Sequence, residues 1–443
     1  MLFELEKPAL SKIDKNKTID KYNKNIDLVL DFNKKIYLSE YLYWDKLKYK
    51  TLPPNFSAEE MWFLIKLFRK IQSEKTVIKS ENEKYFTLSK LADLNKFLHE
   101  IDLNTGGNLF LGTEKIKDTD KQKMISRGVM EEAIASSQLE GAHTTRKAAK
   151  KFLREAKKPK NESEQMILNN YKTMLGIESE YKNRQLDKTM LLELHEMITK
   201  KTIPENKIGK FRTDDDKIVV ANEQGVVYHN PPSEKFVAKE ISRLFDFAND
   251  ELEEPFFIHP IIKAILLHFW VGYLHPFVDG NGRIARALFY WYLLKKGYWG
   301  FAYLPISTVI KKSPAQYGMS FVYSEQDDLD LTYFVDYNIR KIKMAAGEFN
   351  EYLINATKEN KKMNKMAHAE YDLNERQIQL LQYLYGDTGN GTSLKTHMNI
   401  YKVSKKTAIK DLKTLESFGF IAAEKIGRNI HYYATDKINE LFK

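Results

Sequence analysis

Apolar positions recur at helical spacing through most of residues 118–352 and predict a mainly helical chain. The longest apolar run, Ala264–Leu274, reads as a buried helix. One stretch breaks the pattern: Lys217–Tyr228 carries two β-branched runs around a turn with Asn222 and Gly225, and Pro231-Pro232 stops it, which predicts a β-hairpin. Upstream, residues 1–117 predict a helical extension with a helix around Asp20–Phe32. A second helix, Ser57–Ile71, follows, with Ser57 as N-cap and Glu60 completing a capping box. Asn355–Lys365 is polar and Lys-rich and predicts the end of a long helix grading into a linker, 355–371. From Leu373 the order is helix Glu375–Leu384, Gly-rich turn, helix Ser393–Ile400, helix Ser404–Phe418, then strands Phe420–Lys425 and Ile430–Ala434 around Gly427-Arg428-Asn429. That is the order of a winged helix-turn-helix, 372–443, after a central helical domain, 118–354.

With 443 residues, 43% of them apolar, the chain is long enough for about three domains, each with a core. A net charge of +10 is compatible with a polyanionic partner without requiring one. Cysteine is absent, which excludes disulfides, a thiol nucleophile and Cys-based metal sites and fits a reducing cytoplasm. The start, MLFELEKPALSKIDKNK, has charges where an export signal needs an apolar stretch, and Ala264–Leu274 falls short of the roughly 20 residues that cross a bilayer. The expectation is a cytoplasmic protein that does not engage a membrane.

The chemistry concentrates in His275-Pro276-Phe277-Val278-Asp279-Gly280-Asn281-Gly282-Arg283-Ile284-Ala285-Arg286, between two apolar helices. Pro276 cannot extend the preceding helix, and Gly280 and Gly282 let the loop aim its N–H groups at an anion where the next helix dipole begins. Arg283 and Arg286, three apart, share a helix face and can hold one polyphosphate. Asp279 offers a hard oxygen to Mg²⁺, and His275 can take a proton from an attacking hydroxyl. Together these residues describe a phosphate-transfer site. Neither a P-loop motif nor a ligand set for zinc around His268 is present, and His268 reads as a satisfied helix residue.

This segment matches the Fic-domain motif His-Pro-Phe-x-[Asp/Glu]-Gly-Asn-Gly-Arg-x-x-Arg at every defined position, and Gly209–Arg212, Val219-Val220 and Tyr228–Pro232 resemble the family's approach to its flap hairpin. The resemblance covers roughly residues 118–345. It implies a helical bundle with one flap, and transfer of AMP from ATP to a Ser, Thr or Tyr hydroxyl of a target protein or of the chain itself. It casts His275 as general base, Phe277 as loop anchor and Asp279 as Mg²⁺ ligand. Gly280, Asn281 and Gly282 form the α-phosphate cradle, with Arg283 and Arg286 on the outer phosphates. Val219, Val220, Val226, Val227 and Tyr228 become a target-docking flap, and Tyr317 a contact for adenine.

Ser136-Ser137-Gln138-Leu139-Glu140-Gly141 closes a helical stretch from Met124, with Gly141 a natural C-cap. It resembles the family's inhibitory motif [Ser/Thr]-x-x-x-Glu-[Gly/Asn], in the class that carries it amino-terminal to the Fic core. The resemblance pairs Glu140 with Arg286, blocks the γ-phosphate's seat, and leaves open removal as well as addition of AMP. In the last domain Lys402, Lys405, Lys406, Lys410 and Lys413 crowd the expected recognition helix, opposed by Asp411 and Glu416. Lys405, Lys406, Thr407, Lys410 and Arg428 at the wing tip form the expected DNA contact. Two alternatives stand beside the adenylyltransferase: a DNA-binding regulator whose Fic domain senses nucleotide, and a Fic enzyme moving another phosphate-containing group. A homodimer is carried as a further partnership.

Overall fold

The computed structural model describes residues 2–441 apart from 92, 104–109, 112–113, 116–117, 156, 223, 255, 386–390, 402 and 427–428. The chain divides into two units, one of residues 1–144 and 158–346, the other of residues 145–157 and 347–443. Both are mainly helical.

The first unit is built on two antiparallel-connected helices, Pro260–Leu274 and Asn281–Lys295, joined by the 275–280 loop. Both are buried on nearly all sides, and Trp270, Phe269, Tyr290 and Trp291 are almost fully buried, so this pair is the centre of the core. Around it pack the helices Asp118–Leu139, Glu162–Ser179 and Lys188–Thr199. The first of these lies very close: a Cβ on Gly128 would stand 2.2 Å from the Cα of Tyr303, so only glycine allows the two backbones to meet. Further along it Glu132 is buried and accepts hydrogen bonds from the Tyr290 hydroxyl at 2.7 Å and the Ser307 N–H at 2.9 Å. Burial raises the Glu132 pKa despite these donors and the Arg286 charge nearby.

The amino-terminal region departs from the expected separate helical domain in three ways. It contains a two-stranded hairpin, Ser73–Lys79 with Tyr85–Ser89. The helix expected at Asp20–Phe32 is two, Lys15–Lys24 and Ile26–Ser39, divided at Asn25. And residues 1–117 are not a unit of their own, because Leu5, Tyr41, Tyr43, Trp44 and Trp62 complete one apolar cluster with Val322, Tyr323 and Tyr333. Ser57 caps helix Ala58–Gln72 with both hydrogen bonds of the capping box.

In the second unit Leu373, Ile378, Leu381, Leu412, Leu415, Phe420, Ile421 and Leu441 share a core. The order is helix Glu375–Tyr385, strand Gly391–Ser393, helices Leu394–Tyr401 and Lys405–Ser417, and strands Ile421–Ile426 and Asn429–Ala434, the last being central in a three-stranded sheet. Helix Arg146–Arg154 belongs to this unit, although its place in the sequence suggested the central domain. The expected linker is also corrected: helix Thr332–Glu370 continues through it, since residues 348–370 contain neither Pro nor Gly to stop it. Arg428 and Lys402 lie outside the described residues. Asp411 does not oppose the surface lysines: it is buried and accepts from Arg376 Nε at 2.8 Å and Asn374 Nδ2 at 3.0 Å, with His397 Nε2 at 3.2 Å. No helix among the described residues is long and apolar enough to cross a membrane.

Candidate functional site

The helix ending at Leu274 stops because His275 turns left-handed, φ 46°, and Pro276 follows. The loop then descends to Phe277, fully buried, whose ring stacks on that of His195 at 3.8 Å and 7°. Gly280, φ 84°, is the N-cap of the next helix, and a Cβ there would meet Thr199 Cγ2 at 2.9 Å. Asn281 braces the turn with its whole amide: Oδ1 accepts from Phe277 N–H at 2.9 Å and Nδ2 donates to the Phe277 carbonyl at 2.8 Å. Its side chain is therefore spent on loop shape, and what it offers an anion is the backbone N–H at the start of the helix.

Two neighbours that the sequence reading did not place in the site lock the loop from behind. His195 takes a hydrogen bond from Gly209 N–H on Nδ1 at 3.0 Å, so its Nε2 carries the proton and donates to the Asp279 carbonyl at 3.1 Å. Burial pushes its pKa down to about 4. Arg212, buried, donates through Nε to the His275 carbonyl at 2.7 Å, and its backbone N–H donates to the Pro276 carbonyl at 2.9 Å. Nothing local marks His195 on its apolar helix, and only the tertiary pairing reveals it. Glu132 was missed as well, although the spacing could have found it: it stands on the same helical stripe as Ser136 and Glu140, four residues apart each time.

The expected residues converge, with some pairings not foreseen. His275 Nδ1 lies 3.2 Å from the Gly272 carbonyl, and burial together with the neighbouring His229 charge lowers its pKa to about 4, against the opposing pull of Glu140. Asp279 Oδ2 accepts from Arg283 Nη2 at 2.9 Å, and Arg283, 1% exposed, also donates to the Ile198 carbonyl at 3.2 Å. Arg286, 3% exposed, donates through Nε to Ser136 Oγ at 2.8 Å, and through Nη2 to the Ser136 carbonyl at 3.1 Å and to Glu140 Oε1 at 2.7 Å. Its Nη1 is buried without a hydrogen-bond acceptor among the described residues. Gly141, φ 93°, ends the helix just beyond. Tyr317 hydrogen-bonds His268 Nε2 at 2.7 Å, and His268 is buried with a pKa of about 3.

The hairpin is shorter than expected: Val220–Ala221 pairs antiparallel with Val227–His229, and Val219 and Val226 stand outside the strands. Tyr228 is not a free docking side chain, because its ring packs on Phe3 with centroids 5.1 Å apart. His229 is buried between the Tyr273 carbonyl, 2.8 Å from Nε2, and Glu325 Oε2, 2.7 Å from Nδ1. Both partners are acceptors, so both ring nitrogens donate and the imidazole is charged; the Glu325 charge raises its pKa against burial. Among the described residues no group of three or more His, Asp or Glu could hold a metal on its own.

Residues 185–293 match the family model described as the Fic/DOC family, so the chain contains a Fic domain. It is similar to the protein adenylyltransferase Fic of Drosophila willistoni, 33% identical over 108 residues, 24% of this chain and 20% of that protein. It is also similar to that of Nematostella vectensis, 37% identical over 70 residues, 16% of each chain. The matched stretches thus span about a fifth or less of those relatives. Among solved structures it is similar to a Fic family protein from Desulfovibrio desulfuricans, at 20% identity and a TM-score of 0.47, covering 78% of this chain and 95% of that one. Fic-1 from C. elegans aligns at 17% identity and a TM-score of 0.45, covering 59% of this chain and 73% of that one.

Proposed function

We propose that this chain is a protein adenylyltransferase that moves AMP from ATP to a Ser, Thr or Tyr hydroxyl of a protein and is held off by its own helix. The single observation that carries the reading is the Glu140 carboxylate at 2.7 Å from Arg286, within a loop whose N–H groups and second arginine otherwise suit a triphosphate. A carboxylate on an arginine fork removes a phosphate's partner and repels the phosphate. With Glu140 withdrawn, Arg286 presents Nη2 and the already unpartnered Nη1 to the outer phosphates, and the backbone N–H groups from Gly280 to Gly282 receive the α-phosphate.

The target hydroxyl attacks the α-phosphorus, the oxygen–phosphorus bond to pyrophosphate breaks in line, and the hydroxyl proton passes to His275. With its pKa near 4, His275 is unprotonated at neutral pH and able to accept. Arg286 stabilises the charge growing on the leaving pyrophosphate. Asp279 suits Mg²⁺, since its side chain is 46% exposed and a single carboxylate completed by phosphate oxygens is that ion's usual arrangement. When bound there, Mg²⁺ would neutralise phosphate charge, and Asp279 would exchange its Arg283 contact for the ion. Tyr317, hydrogen-bonded to His268, is proposed to flank the adenine.

The test uses wild type, Glu140→Gly and Glu140→Gly/His275→Ala with Mg²⁺ and ATP labelled at the α-phosphate. The expected result is faint label on protein in wild type, strong label in Glu140→Gly and none in the double variant. Label in none of the three, with γ-labelled ATP also silent, overturns the reading.

For the carboxy-terminal unit we propose a winged helix that binds DNA. Lys405, Lys406, Lys410 and Lys413 are exposed on one helix, while its Asp411 is withdrawn into the core, so that four exposed lysines stand against one exposed acid, Glu416. Thr407 is engaged at the N-cap with Ser404, at 3.0 Å between hydroxyls.

A further inference from the structure

The flap hairpin is not alone on its second edge. Its strands are two and three residues long, and a two-stranded ribbon of that size does not hold a fixed position in water. A segment from the far end of the sequence lies along that edge and meets it at a single bridge. Leu2 bridges Val227 in parallel, and the Phe3 N–H donates to the Val227 carbonyl at 2.7 Å. Gln326 then grips the same segment by its backbone, its Nε2 donating to the Phe3 carbonyl at 2.8 Å and its Oε1 accepting from the Leu5 N–H at 2.9 Å. Phe3 lies against Tyr228, and Leu5 is buried with Tyr43, Trp44 and Tyr323.

We propose that Leu2–Leu5 is a built-in strand that positions the flap and closes its Val227–His229 edge, so that an extended, hydroxyl-bearing target segment is confined to the outer edge of Val220–Ala221. The inference rests on the adenylyltransferase reading for the word target, but not for the role of the strand. Two adjacent residues carry the coupling to the site. Gln326 holds the amino-terminal strand, and Glu325 holds His229, whose other nitrogen donates to the carbonyl of Tyr273, two residues before His275. Order at Leu2–Leu5 is thereby transmitted to the wall of the site. The side left open is consistent with this assignment: Val219, beside the first strand, is 48% exposed. A main-chain edge there takes an extended peptide of many sequences.

The experiment compares Glu140→Gly protein with the same protein lacking residues 2–4, which keeps buried Leu5, and with Glu140→Gly/Gln326→Ala. Hydrogen exchange is followed at the hairpin amides and at those of the Asn281–Lys295 helix, and label transfer from α-labelled ATP to an array of Ser-, Thr- and Tyr-containing peptides is read alongside. Expected are hairpin amides exchanging at least about tenfold faster in both variants, unchanged helix amides, weaker labelling of the array, and restored protection on adding the peptide Leu-Phe-Glu to the truncated protein. Unchanged hairpin exchange in Gln326→Ala overturns the proposal, and so does array labelling that rises on truncation, which would make the segment an occluding strand. If the truncation also loosens the helix, Gln326→Ala decides. Absence of label from every protein, Glu140→Gly included, speaks against the adenylyltransferase reading, and the exchange data still judge the strand.

Discussion

Gly282 and Glu140 share one space. A Cβ built on Gly282 would lie 2.3 Å from Glu140 Oε1 and 3.2 Å from Arg286 Nη1, so the missing side chain at 282 is what admits the carboxylate to the arginine. On the adenylyltransferase reading, the same gap is the one a triphosphate would need in order to reach the start of the Asn281–Lys295 helix. Occupancy by glutamate and occupancy by phosphate would then be exclusive at this one position, set by a residue just past the end of the Asp118–Leu139 helix.

That relationship separates two substitutions that both break the Glu140–Arg286 pair. Glu140→Gly empties the space, and AMP transfer is expected to rise about tenfold or more. Gly282→Ala expels the carboxylate but leaves a methyl group in its place, so transfer is expected to stay at or below the wild-type level. Label from α-labelled ATP measures both. Transfer by Gly282→Ala equal to that of Glu140→Gly would show that phosphate does not approach the backbone there.

His195 is a structural hinge of the loop. His195→Ala removes the ring stacked on Phe277, orphans the Gly209 N–H and frees the Asp279 carbonyl. A buried change of this kind costs about 2–4 kcal/mol. Urea unfolding of the full chain should show a lower midpoint at an unchanged slope, and transfer in the Glu140→Gly background should fall. An unmoved midpoint would remove His195 from the account.

How much of this was legible in the sequence follows from the range of the forces involved. The loop could be read because Gly, Pro, Asp and Arg act through their immediate neighbours; helical spacing placed Ser136 and Glu140 on one face, while the partner of Glu140 came only from the resemblance of the motif. His195 and Arg212 could not be read as loop braces, since each acts on a segment more than 60 residues away. The unfolding of the expected domain plan has the same origin. Trp44 and Trp62 have the composition of an independent core, but their partners Val322 and Tyr323 lie far along the chain. The Leu2–Val227 bridge is the extreme case, because a single bridging residue leaves no periodic trace.

Acid should loosen the first unit. His195, with a pKa near 4, and His268, near 3, are buried neutral, whereas an unfolded histidine titrates near 6.5. Below about pH 6.5 the unfolded chain binds protons that the folded one refuses, so the stabilisation present above that pH is lost as pH falls toward those folded values. His229, with a raised pKa, contributes in the opposite sense. Thermal unfolding from pH 7.5 to 5 should show stability rising with pH, and His268→Gln should flatten that slope by up to one proton's worth. A slope unchanged in His268→Gln would contradict the buried neutral assignment.

The exposed lysines of the second unit make a prediction about salt. Each lysine that neutralises a phosphate contributes roughly 0.9 to the slope of log K against log salt on B-DNA. Binding of the full chain to a labelled random-sequence duplex should therefore weaken steeply as salt rises. Lys406→Gln and Lys410→Gln, four apart and both exposed, should each flatten the slope by about one while leaving the buried Asp411 cluster and the fold intact. Lys425→Gln, on the Ile421–Ile426 strand rather than the helix, serves as the control with no expected change. Binding that is absent or independent of salt, or a slope that Lys425→Gln flattens as strongly as Lys410→Gln, would take the helix out of DNA recognition.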